Sequence, residues 1–137
     1  MADTEKVPSA PFRSPDFTRE PILRTAPQPA DMNGNGDIFG GWVLAQMDIA
    51  GGVLASRTAQ GRTATVAITA MAFVQPIKVG DLVSVYGEVT RVGTTSITVK
   101  METVGRRRLD PTPIRVTEGT FVYVAIDDAG KPRPVLK

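Results

Sequence analysis

The 137-residue sequence contains neither cysteine nor histidine. Those two absences exclude disulfides, thiolate nucleophiles, serine–histidine dyads and imidazole-ligated metal sites. Any catalysis must run through carboxylates, amides, hydroxyls or backbone dipoles, and no metal site is expected. A charge excess is lacking too: 16 Lys and Arg stand against 14 Asp and Glu, too near balance to argue for nucleic acid or an anionic membrane as principal partner. Long apolar runs are also missing. The longest weakly charged stretch, Ile38 to Met47, is half a bilayer span and rich in glycine, and the N-terminus has no apolar signal-peptide core. A soluble, cytoplasmic protein without a membrane span is expected, and the lack of cysteine is compatible with a reducing compartment.

What is present suffices for one packed core, because 42% of the residues are hydrophobic. Residues 1 to 20 mix charges with three prolines and show no periodicity, so they read as a mobile N-terminal tail ahead of a single domain over 21–137. "PILRTA" (21–26) fits a short strand and "PQPADMNGNG" (27–36) a loop. A helix fits from Gly40 to Ala59, closed by "QGR" with Gly61 taking the left-handed position.

Beyond the helix the period changes to two, with β-branched enrichment over 62–74, 82–92, 96–104 and 114–126. "KVGD" and "VGTT" read as tight turns and "GRRRLDPTP" (105–113) as a longer polar loop. Ile97, Val99 and Met101 alternate with Thr98, Lys100 and Glu102, as in a sheet with one wet face, while "TFVYVAI" is apolar on both faces and reads as an interior strand. The expected class is α+β, an antiparallel sheet curled around one long central helix in a hotdog-like wrap.

One residue in the helix is out of character. At about 100° per residue, Asp48 shares a face with Gly41, Leu44, Ala45, Gly51, Gly52 and Ala55, whereas Val43, Gln46, Ala50, Val53 and Arg57 lie opposite. Small neighbours leave room for a groove above the carboxylate. Gly51 and Gly52 each cost roughly 1 kcal/mol relative to alanine inside a helix, which implies close approach by a neighbouring subunit or a ligand chain. At the helix start, the N–H groups of Gly40 and Gly41 form a natural oxyanion site. They lie two turns, about 12 Å, from Asp48, so a site using both ends needs another chain to complete it. A structural reading stands beside this one: a lone helical Asp bonded to backbone or to Arg57 or Arg62.

The stretch "DMNGNGDIFGGWVLAQMD", followed in order by "GRTATVAI", "FVQPIKVGDLVSVYGEVTRVGTTS" and "TFVYVAIDDAGKPRPV", resembles the hotdog-fold acyl-CoA thioesterases of the YciA type, related to the brain acyl-CoA hydrolase group. The likeness runs over residues 22 to 135. It implies hydrolysis of a fatty acyl-CoA to free acid and coenzyme A, with acyl-CoA as substrate and no separate cofactor. It also implies a site shared across a homodimer and assembly into a hexamer as a trimer of dimers. Carried over by position, Asp48 becomes general base or nucleophile, Asn33 arrives from the partner subunit, and the N–H of Gly40 or Gly41 polarises the thioester carbonyl.

For coenzyme A, the resemblance places the turn Gly93-Thr94-Thr95-Ser96 beside the pantetheine path. Thr94 stands where close relatives carry arginine, and Arg106, Arg107 and Arg108 are the alternative source of a phosphate contact. A second departure is the strand after the helix, where Thr69, Ala70 and Ala72 replace the polar residues usual in these thioesterases. That loss of polarity motivates the rival expectation of a non-catalytic acyl-CoA binding or sensing module on the same fold. A dehydratase of this fold is disfavoured because such sites use histidine.

Overall fold

The computed structural model describes residues 20–136; the expected tail, apart from Glu20, lies outside the described residues. In chain order the elements are β1 (Leu23–Thr25), a 3-10 turn (Pro29–Asp31), α1 (Gly40–Ala59), β2 (Thr63–Phe73), β3 (Leu82–Val92), β4 (Ser96–Arg107) and β5 (Asp110–Ala125). The strands form one antiparallel sheet in the order β1-β3-β4-β5-β2, and the helix packs against it.

Helix α1 spans the expected residues, but its end is built differently. Gln60, not Gly61, takes the left-handed conformation, at φ 52°. Gly61 instead leaves room for the Arg133 guanidinium, which would have to shift to admit a Cβ there. That guanidinium donates to the Ala59 carbonyl at 2.8 Å, so a cation caps the negative end of the helix dipole. The buried stripe of the helix is Val43, Met47, Ala50, Gly51, Ala55 and Ala59. It meets Val83 and Val85 of β3, Ile97, Val99 and Met101 of β4, and Phe121 and Tyr123 of β5. The alternation seen in the sequence of β4 is thus the alternation of core and outer face.

Strand β5 is interior, between β4 and β2, as its apolar character implied. The polar loop expected over 105–113 is absent. Strands β4 and β5 run on to Arg107 and from Asp110, leaving only Arg108 and Leu109 in the turn. Two prolines argued against a strand here, yet this part of β5 pairs with β4 on one side only, since the β2 register begins at Thr117. A strand segment with a free side tolerates a missing N–H.

Strand β2 is an edge of the sheet, and it exposes Val66, Ile68 and Phe73. Its pairing with β5 is interrupted between Thr69↔Thr120 and Ala72↔Glu118, where two residues oppose Gly119 in a β-bulge. Ala70 sits in that bulge at φ 52°. Of the three positions singled out for lost polarity, Thr69 and Ala72 therefore flank, and Ala70 occupies, a backbone irregularity that composition did not reveal.

Candidate active site

Asp48 lies at the border of the buried stripe of α1, half-buried, where the helix passes over β2 and β5. Register sets its surroundings. Thr65 of β2 is paired with Tyr123 of β5, and both hydroxyls converge on the same carboxylate oxygen: Thr65 Oγ1 donates to Asp48 Oδ1 at 2.7 Å and the Tyr123 hydroxyl at 3.0 Å. The same phenol lies 3.0 Å from the Asp48 carbonyl oxygen. Burial, followed by the Asp48 carboxylate itself, pushes the Tyr123 phenol well above its ordinary range, so it stays protonated as a donor.

Both structural partners proposed for Asp48 are set aside by this geometry. Arg62 donates to the carbonyls of Asp127 and Asp128, and Arg57 makes no ion pair with Asp48. Asp48 instead opens on a groove of about 520 Å³ lined by Ile49, Gly52, Val53, Ser56, Arg57, Thr63, Thr65 and Tyr123. Two placements from the sequence are corrected here. Val53 and Arg57, read as the opposite face, line this groove, whereas Gly51, read as part of it, is buried in the core. A Cβ on Gly51 would overlap the Tyr123 hydroxyl, so the close approach that this glycine permits is made by the chain's own tyrosine. Gly52 has open space beside it and forms groove wall.

Asn33 organises its own loop. Its Oδ1 accepts the N–H of Asn35 at 2.8 Å and of Asp37 at 3.1 Å. The loop is pinned by Ile38 N–H to the Ile77 carbonyl at 2.9 Å and by an ion pair between Lys78 and Asp37. Gly40 and Gly41 occupy the first turn of α1, where no earlier helical carbonyl accepts their N–H groups. Gly41 is exposed, while Gly40 faces the ring of Phe73. Neither they nor Asn33 line the groove of their own chain.

The turn Gly93 to Ser96 is at the same end of the sheet as this groove, because Ile97 pairs with Tyr123. A Cβ at Gly93 would press on Ser96 Oγ, and the Thr94 and Thr95 carbonyls accept N–H groups of Val135 and Ala125. Arg106, Arg107 and Arg108 lie at the other end of β4, about 36 Å away at 3.3 Å per residue. Arg107 is further committed to an ion pair with Asp81. Within one chain, these arginines and the glycine turn therefore sit at opposite ends of β4. Thr69, Ala70 and Ala72 are exposed and lie outside the groove lining. Thr65 and Tyr123 were not singled out from the sequence; the one signal pointing to the tyrosine was a glycine inside a helix.

Comparison with known proteins agrees with this architecture. The family model described as thioesterase superfamily matches residues 35–106. The acyl-CoA thioester hydrolase YciA of Salmonella typhimurium is 48% identical over 120 residues, which cover 85% of this chain and 90% of that protein. A hexameric broad-specificity acyl-coenzyme A thioesterase, solved as an aspartate-to-alanine mutant, aligns with TM-score 0.82 and 40% identity over 86% of this chain and 87% of the other. A hexameric hotdog fold thioesterase of Campylobacter jejuni aligns with TM-score 0.81 and 36% identity over 87% and 92%. One helix wrapped by an antiparallel sheet, with a carboxylate facing a groove at their junction, is thus a hotdog fold, and the chain belongs to the thioesterase superfamily, among its YciA-type acyl-CoA thioester hydrolases.

Proposed function

We propose that this protein hydrolyses acyl-CoA thioesters to a free acid and coenzyme A, with Asp48 as the catalytic carboxylate. The observation that carries the reading is the state of Asp48: hydroxyl donors hold one oxygen, no cation among the described residues forms an ion pair with it, and a groove with an apolar wall of Ile49, Gly52 and Val53 runs beside it. As general base, Asp48 takes a proton from water while the water oxygen bonds to the thioester carbon. The carbon–sulfur bond then breaks, and the proton goes on to the departing coenzyme A thiolate. The N–H groups of Gly40 and Gly41 supply the oxyanion site, and Asn33 orients the water or the thioester. Metal or a resident cofactor has no step in this scheme.

Because about 12 Å of helix separates Gly40 from Asp48, the glycines and Asn33 act on a thioester held by the partner's Asp48. The exposed apolar edge of β2 supports the assembly this requires. An edge strand with Val66, Ile68 and Phe73 in solvent is a template for a second copy. We infer a dimer joined through β2, and three such dimers in a hexamer. The turn Gly93 to Ser96 borders the pantetheine, and Arg106 to Arg108 of another subunit reach the nucleotide phosphates.

The test is thiol release across acyl-CoAs from acetyl to palmitoyl, with Asp48→Ala as control. Turnover above background that Asp48→Ala abolishes while remaining folded is expected; a fully active Asp48→Ala sinks the reading. Ile68→Lys, measured by light scattering, separates the assembly claim: dissociation with loss of turnover is expected, and a fully active monomer contradicts the shared site.

A further inference from the structure

We propose that Tyr123 is a positioning residue that selects which oxygen of the Asp48 carboxylate reacts. The inference rests on the reading of Asp48 above and deepens it. Tyr123 is fully packed, with 1% of its surface exposed, on an interior strand held between β4 and β2. Its ring is therefore fixed by the core, not by the groove. Its one phenolic proton has two acceptors, the Asp48 carbonyl oxygen and Asp48 Oδ1, both at 3.0 Å. Since a phenol donates one proton, that proton stays on Asp48 whichever acceptor it serves, and the side chain is tied to its own backbone through the tyrosine.

Thr65 adds a second donor to the same oxygen. Thr65 and Tyr123 are cross-strand partners, so the two donors are set by sheet register and do not move independently. Thr65 holds Oδ1 and the phenolic proton is shared between Oδ1 and the Asp48 carbonyl oxygen, while the described residues offer Oδ2 no hydrogen bond, leaving it as the oxygen for the groove. Rotation of the carboxylate out of this orientation would break both contacts, and a half-turn would only exchange two equivalent oxygens, so one oxygen always faces the donors and the other the groove. Gly51 belongs to the same device, because only a residue without a side chain lets the phenol reach the helix backbone. The consequence for the reaction is orientation: a water, or a thioester carbon if the carboxylate attacks directly, meets one lone pair in one direction.

The experiment is Tyr123→Phe in the full chain, assayed by steady-state thiol release at saturating and limiting acyl-CoA. The expected result is a kcat lower by roughly 10- to 100-fold, the range corresponding to loss of one hydrogen bond to a charged group, with KM nearly unchanged. Placed in an Asp48→Asn background, the same substitution is expected to cost nothing further. A wild-type kcat in Tyr123→Phe overturns the proposal, as does an equal loss in both backgrounds, which would mark a purely structural tyrosine. Should Tyr123→Phe fail to fold, 4-fluorophenylalanine at position 123 fills the hydroxyl's volume without its proton and is read by the same outcomes. Failure of the underlying reading looks different: Asp48→Asn would itself keep wild-type turnover.

Discussion

Asp48 and Asp81 are both carboxylates gathered in against the sheet, and they are held in opposite ways. Asp81 is 2% exposed, accepts the Lys78 N–H at 2.9 Å and forms an ion pair with Arg107. It fastens the turn before β3 to the end of β4, and the guanidinium cancels its charge. Among the described residues, Asp48 is held by neutral hydroxyls, and it faces a groove. Hydroxyls orient a carboxylate without pairing it to a cation, so Asp48 is aimed at the groove while Asp81 is a rivet.

The largest expected effect follows directly. Asp48→Asn should lower kcat by about 10³-fold, within the usual contribution of a general base, and leave the urea midpoint near wild type. Equal loss of stability would put Asp48 in the same class as Asp81. Next comes Asp81→Ala, which strands Arg107 and should cost about 2 kcal/mol by denaturant titration. That is below the usual penalty for breaking a buried pair because Arg107 is one-third exposed. Its kcat per folded enzyme should stay near wild type; a selective loss of kcat would give Asp81 a role in the site.

The third effect separates the two carboxylates by pH. Tyr123 has its proton affinity raised in the fold by burial and by Asp48. The protonated phenol therefore contributes stability that is fully present below the ordinary tyrosine range near pH 10 and is lost as pH rises through the raised folded value. The unfolded chain releases this proton first, so unfolding free energy should fall above pH 10 by up to about 1.4 kcal/mol per pH unit. Tyr123→Phe should flatten that limb, and Asp81→Ala should not. An identical alkaline limb in Tyr123→Phe would show that this phenol is not its source.

Much of the fold was legible because its signals are local. Loop chemistry before Gly40 and a turn after Ala59 delimit a helix, and alternation in Ile97, Val99 and Met101 names a face. The tight turn at Arg108 and Leu109 was hidden because proline is tolerated wherever a strand has one free side, a fact of topology. The site divided in the same way. Asp48 stood out on its helix, and Gly51 announced a close approach. That the visitor is Tyr123, and that Thr65 stands beside it, depends on the β2 to β5 register, which no short stretch encodes.

The smallest effect contrasts two alanines of β2. Ala64 is paired opposite Val124 in regular strand, whereas Ala70 lies in the bulge at φ 52°. A non-glycine residue in the left-handed region costs about 1–2 kcal/mol, and glycine there gives back part of the gain through a freer unfolded chain. Ala70→Gly should therefore stabilise by about 0.5–1 kcal/mol, while Ala64→Gly should destabilise by a similar amount, both by urea denaturation. If Ala70→Gly destabilises as Ala64→Gly does, the bulge is not a strained feature. If the signs differ, β2 carries a strained kink between the groove end at Thr65 and the helix start at Gly40, which faces Phe73.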